Sequence, residues 1–167
     1  LTRDHLPPKI EAVQLFKSLA RQRLQKLEQV SPHWHYWWPK IDLIADWVVE
    51  QEQEWRTHAR PYKLEESGAY QFAISDDFAG DKNRFTLTAK ADRIDRLKTG
   101  GFAILDYKSG SIPTQKKIKC GQAPQLALEA LILQKGGYEV SGSAEVKDLI
   151  YWKVAAEGET RSLSDKF

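Results

Sequence analysis

The hydrophobic period of this chain changes at Pro61. Before it, apolar residues recur at helical spacing; after it, they alternate. A chain that carries both patterns must pack helices against a sheet. From Ile10, the residues Val13, Phe16, Ala20, Leu24 and Leu27 mark one helical face, flanked by Leu15 and Leu19. Pro8 suits the start of that helix, and Ser31-Pro32 ends it. Pro39 opens a second helix, with Ile41, Ile44, Ala45, Val48 and Trp55 on one side, running to about His58. Beyond Pro61, residues Gly68–Ile74, Arg84–Leu97 and Phe102–Lys108 read as strands. In the long middle strand, Phe85, Leu87, Ala89 and Ala91 take one face, and Thr86, Thr88, Lys90 and Asp92 the other. Lys98-Thr99-Gly100-Gly101 is a hairpin turn, and 109–121 a loop. Gln122–Gln134 reads as a helix with Ala123, Leu126, Ala127, Ala130 and Leu131 as its stripe, stopped by Gly136-Gly137. Lys147–Val154 is the last strand.

This order predicts an α/β fold with a mixed sheet flanked by helices. The first three strands are joined as hairpins, and the last follows a helical crossover, which makes it parallel. A helical segment over 1–60 precedes an α/β core over 61–167, in one domain, as 167 residues allow. A net charge of +2 carries no global signal for nucleic acid. Cys120 is the single cysteine, so neither a disulfide framework nor a multi-cysteine metal site fits within these residues. No apolar run approaches the ~20 residues of a membrane helix, and no membrane partner is expected. The polar start carries no secretion signal. The chain begins at Leu1 and contains no Met, so a fragment of a larger protein is expected. There is no Gly-rich phosphate loop, and ATP hydrolysis is not assigned to these residues.

Two acids and a lysine concentrate the chemistry. Asp106 and Lys108 lie two apart at the end of a strand, so they share a face. Asp92 lies on the strand joined to it by the 98–101 turn, and hairpin pairing brings it within reach of Asp106. Two readings fit this spacing. One is a surface ion pair, worth roughly 0–1 kcal/mol. The other is metal-assisted phosphodiester cleavage, in which carboxylates hold Mg2+ and a cationic side chain offsets charge on the phosphate. The run Asp92-Arg93-Ile94-Asp95-Arg96 also suits an ordinary strand of alternating charge.

The surrounding sequence separates these readings. Ala89-Lys90-Ala91-Asp92-Arg93-Ile94-Asp95, Ile104-Leu105-Asp106-Tyr107-Lys108-Ser109-Gly110 and Gly121-Gln122-Ala123-Pro124-Gln125-Leu126 occur in that order. This resembles the RecB-type branch of the PD-(D/E)XK nuclease superfamily, and within it the C-terminal nuclease domain of AddB-type subunits. Tyr36-Trp37-Trp38 and Leu149-Ile150-Tyr151-Trp152 look similar too. The resemblance implies a restriction-endonuclease-like core and a metal-dependent DNA nuclease domain. It further implies a bacterial, cytoplasmic helicase–nuclease that processes double-strand breaks for recombinational repair. It implies Mg2+ or Mn2+ as cofactor, and as partners DNA, a helicase–nuclease subunit of AddA type and the rest of the parent chain. By resemblance, Asp92, Asp106 and the carbonyl of Tyr107 bind metal, Lys108 is the catalytic lysine, and Gln125 lies close to the reacting groups. The family's tyrosine four residues after that glutamine is replaced by Glu129. Its upstream histidine has no match, since His5 lacks the accompanying glycine, and that segment is expected before Leu1. Cys120 alone cannot form the iron–sulfur staple of some relatives. The alternative function is a non-catalytic DNA-binding or scaffolding module that keeps the nuclease fold.

Several other residues are read more plainly. His33 and His35 lack nearby acids and are expected in packing rather than metal binding. Trp34, Trp37 and Trp38 are expected in core or helix packing rather than stacking on bases. Glu65 and Glu66 are expected to be solvated rather than accessory carboxylates. Lys116, Lys117 and Lys119 either contact the DNA backbone or lie solvated. Cys120 is expected to pack passively.

Overall fold

The computed structural model describes residues 6–28, 38–73, 84–140 and 145–163. The chain runs α1 (Lys9–Glu28), α2 (Trp38–Trp55), β1 (Ala59–Ala73), β2 (Arg84–Leu97), β3 (Phe102–Lys108), α3 (Gln115–Lys119), α4 (Gln125–Gln134), β4 (Val146–Lys153) and β5 (Glu159–Ser162). The strands form one sheet in the order β1-β2-β3-β4-β5. β1–β2, β2–β3 and β4–β5 pair antiparallel, and β3–β4 pair parallel. The expected mixed sheet flanked by helices is what forms.

Two cores sit on the two faces of this sheet. Ile94, Ile104, Tyr151, Leu126, Ile132 and Leu133 join on the face covered by α4. Ala103, Leu105, Ile150 and Trp152 meet Trp47 and Trp55 on the face covered by α2. β3 is therefore buried from Phe102 through Asp106, as a central strand covered on both sides must be. α1 packs on the outside of α2.

Several boundaries differ from the sequence reading. β1 begins at Ala59, nine residues before Gly68, and runs straight through Pro61. Pro61 is tolerated because β1 is an edge strand, and the register shifts between Pro61 and Lys63. The loop after Lys108 holds one helical turn, α3, capped by Thr114, whose hydroxyl accepts from the Lys117 N–H. α4 starts at Gln125, immediately after Pro124, rather than at Gln122. Its buried face is Leu126, Glu129, Ile132 and Leu133, while Ala127 is exposed, so the expected stripe was turned about the helix axis. Gly136, with φ 76°, and Gly137 end α4 as expected: their N–H groups bond to the carbonyls of Leu133 and Ile132. β5 went unforeseen; at four residues it is too short to show alternation. Cys120 is exposed rather than packed, because α3 turns Ile118 inward and leaves the residues around it in solvent. His33, His35, Trp34 and Trp37 lie outside the described residues. Trp38 opens α2, with the Arg21 guanidinium 4.4 Å above its ring.

Candidate active site

The site forms where the β2–β3 ladder ends. Its last pair is Arg93 with Leu105, which puts Asp92 and Asp106 next in line across the two strands. Beyond that pair the strands are tied by a side chain: Asp92 Oδ2 accepts from the Tyr107 N–H at 2.9 Å.

Simple alternation placed Asp92 opposite the Leu87–Ala91 face. The structure corrects this. Ala91 and Ile94 both enter the α4-side core although they are three residues apart, so the alternation slips by one between them. Across the hairpin, Leu64 pairs Arg93 and Glu66 pairs Ala91, which leaves Glu65 facing Asp92. Glu65 has φ 53°, a left-handed conformation uncommon for a residue with a side chain. The irregularity at Glu65 coincides with the slip, and Asp92 joins Asp106 on the α4 side.

Gln125, the first residue of α4, links the polar groups there. Its Nε2 donates to Asp106 Oδ1 at 2.5 Å and to Glu129 Oε1 at 3.2 Å. Its Oε1 accepts from Lys108 Nζ at 2.9 Å. The Lys108 ammonium also stands 2.6 Å from Asp106 Oδ2. That approach is an ion pair off the direction of a hydrogen bond, so the buried Oδ2 has no directional donor. Burial pushes the Asp106 carboxyl above the usual carboxylate range; Lys108 and Gln125 oppose the shift, and the Asp92 charge adds to it. Burial likewise pushes the Glu129 carboxyl up to about 7, against the Gln125 hydrogen bond.

These donors suit a hard divalent cation. Mg2+ takes one or two carboxylates and fills its shell with water. Asp92 and Asp106 offer hard carboxylate oxygens from neighbouring strands, and Asp106 Oδ2 is buried with only the Lys108 ammonium against it. Among the described residues no three His, Cys, Asp or Glu side chains converge enough to enclose an ion by themselves, so water would complete the shell.

A family model of the PD-(D/E)XK nuclease superfamily matches residues 2–165. The chain belongs to the PD-(D/E)XK nuclease superfamily. Similar sequences occur in uncharacterized proteins of Rickettsia. One from Rickettsia bellii is 31% identical over 107 residues, which cover 64% of this chain and 12% of that protein. One from Rickettsia felis is 39% identical over 70 residues, covering 42% of this chain and 8% of that protein. One from Rickettsia conorii is 50% identical over 48 residues, covering 29% and 6%. The chain thus matches a small part of the length of these relatives.

In this PD-(D/E)XK chain, Asp92, Asp106, Lys108 and Gln125 come together as their order along the sequence suggested. Lys116, Lys117 and Lys119 stand exposed on α3, which follows the Lys108 strand end. Glu65 and Glu66 are engaged elsewhere, with Lys90 at 2.6 Å and Lys63 at 2.9 Å. Two groups escaped the sequence reading. Glu129 was seen only as a missing tyrosine, yet it shares Gln125 with the site. Its signal was local: an acid four residues after Gln125 on an otherwise apolar helix. The second is Arg93 with Asp95. Read as part of an alternating-charge strand, both are buried, at 2% and 0% exposed, on the face opposite Asp92. Arg93 Nε and NH2 hold both oxygens of Asp95 at 2.7 and 2.6 Å. Glu52 of α2 adds a second carboxylate to Arg93, and the Trp55 indole N–H donates to Asp95 at 2.7 Å. The carboxylates and the Tyr107 hydroxyl outweigh the cost of burial and hold the Arg93 guanidinium charged.

Among the described residues, no helix is long and apolar enough to cross a membrane.

Proposed function

We propose that this chain is a metal-dependent DNA nuclease domain, with Asp92 and Asp106 holding Mg2+ or Mn2+ and the Tyr107 carbonyl available to the same ion. The observation that carries this reading is the placement of Gln125. One amide bridges the Asp106 carboxylate and the Lys108 ammonium, and so fixes ligand and cation on one side of the sheet.

The bound ion would polarise the scissile phosphate and acidify a water. Asp106 and Asp92 would hold that ion from two strands. Lys108, held between Asp106 and Gln125, places the attacking water and offsets charge as the phosphate accepts it. Water adds to phosphorus and gives up a proton to solvent, the P–O bond to one nucleotide breaks, and the leaving oxygen takes up a proton from solvent. Gln125 keeps Lys108 and Asp106 in register without reacting. Lys116, Lys117 and Lys119, exposed on α3, would contact the DNA backbone.

The wider setting is a bacterial helicase–nuclease of the AddB kind, acting with an AddA-type subunit at double-strand breaks. The sequence resemblance supports this, as does the much greater length of the Rickettsia relatives. The test is cleavage of labelled single- and double-stranded DNA with Mg2+, with EDTA as control. Wild type should cut, and Asp106→Ala and Lys108→Ala should lose at least a hundredfold. Equal rates in wild type and variants would overturn the nuclease reading.

A further inference from the structure

The buried network behind the site carries an inference of its own, which rests on the reading of Asp92 and Asp106 as cation ligands. We infer that Arg93 and the Tyr107 hydroxyl, from the face opposite the carboxylates, set the spacing of Asp92 and Asp106 for a divalent cation.

β2 and β3 are held by backbone pairing only as far as Arg93 and Leu105. Past that point two contacts tie the strand ends. On the α4 side, the Tyr107 N–H donates to Asp92. On the α2 side, Arg93 NH1 donates to the Tyr107 hydroxyl at 3.1 Å. Both pass through Tyr107, the residue between Asp106 and Lys108. Its side chain points one way and those of Asp106 and Lys108 the other, so fixing the ring fixes the peptide planes that aim the two site residues.

The anchor for this ring is rigid. Arg93 is forked onto Asp95 and paired with Glu52, which in turn holds Arg56 Nε at 2.8 Å. Two guanidinium groups thus meet two carboxylates in a balanced set reaching from α2 to β2. The Tyr107 ring packs edge-on against Trp152, centroids 5.9 Å apart, and Trp152 is 1% exposed. Although Tyr107 as a whole is 37% exposed, its hydroxyl end is turned inward to Arg93. A buried ion network of this sort is weak as a source of stability, since desolvation offsets the attraction, but with its members hydrogen-bonded it rigidifies what it holds. Arg93 and Tyr107 are therefore positioning residues, one step behind the carboxylates.

The test is Mn2+ binding to the purified protein, followed by electron paramagnetic resonance or calorimetry, beside unfolding midpoints measured in EDTA. Wild type should bind Mn2+, and Asp106→Ala should lose binding. Tyr107→Phe keeps the backbone and the ring and removes only the hydroxyl. It should weaken Mn2+ binding about tenfold, the lower end of the range for groups that orient metal ligands, with a near-unchanged midpoint. Glu52→Gln, a second variant far from the carboxylates in sequence, should weaken it in the same direction. If Tyr107→Phe and Glu52→Gln bind within twofold of wild type while Asp106→Ala does not bind, the network is merely structural and the inference is wrong. If wild type itself fails to bind Mn2+, the cation-site reading falls first and this inference with it.

Discussion

Gln125 Nε2 donates to Asp106 Oδ1 at 2.5 Å, across the join between a helix N-terminus and the end of a central strand. The contact spends one amide hydrogen of Gln125 on a buried carboxylate. The other end of the same amide holds Lys108. A short side chain at this position would release Asp106, Lys108 and Glu129 at once. Gln125→Ala should therefore lower DNA cleavage by about tenfold to a hundredfold, the usual effect of removing a group that orients a site. The unfolding midpoint should also fall, because the buried carboxyls of Asp106 and Glu129 each lose a donor, at about 1–3 kcal/mol for a buried acceptor left unpaired. Initial rates on labelled DNA check this; an unchanged rate would show the bridge to be idle.

Glu129 makes stability depend on pH. Its folded pKa of about 7 lies above the unfolded value of 4.5, so between those values the folded protein binds more protons than the unfolded chain. The stability it contributes is fully present below about pH 4.5 and is lost as pH rises to about 7, on the order of 3 kcal/mol at most. Glu129→Gln should remove that slope. Thermal midpoints of wild type and variant between pH 5 and 8, in EDTA, provide the comparison. Parallel curves would mean that Glu129 is ionised throughout.

A divalent cation bound only by the folded protein should stabilise it by mass action, about 2.7 kcal/mol when the ion is at a hundred times its dissociation constant. Wild type should show a midpoint that climbs with Mg2+ or Mn2+ and falls back with EDTA. Asp106→Asn should show no climb. A shift of the same size in both proteins would place the ion elsewhere.

The three lysines of α3 predict a salt dependence. Each phosphate neutralised on a single strand contributes about 0.7 to the slope of log affinity against log salt. Replacing Lys116, Lys117 and Lys119 by Gln should reduce that slope by about 2 when binding is measured by fluorescence anisotropy. An unaltered slope would mark them as solvated side chains.

The sequence alone determined much of the scaffold. β2 and β3 were legible at their observed ends, because alternation and a Gly100-Gly101 turn are local signals; those glycines have φ 85° and 78°. Asp106 and Lys108 were legible as a pair on one face at a strand end, and Asp92 and Gln125 were singled out by the resemblance of the motifs around them. Tertiary structure decided the rest. No local pattern tells that Arg93 and Asp95 are buried, because their partners on α2, Glu52 for Arg93 and Trp55 for Asp95, lie 41 and 40 residues away. Nor does alternation give the face of Asp92: a slip in phase, opposite a left-handed Glu65 on another strand, brings it to Asp106. Glu129 looks like a lost family residue until α4 is docked on the sheet, which buries its carboxyl and brings it near Asp106. The physical reason is common to all three. Period and turn chemistry act over a few residues, whereas the face and burial of a charged side chain depend on which distant element packs against it.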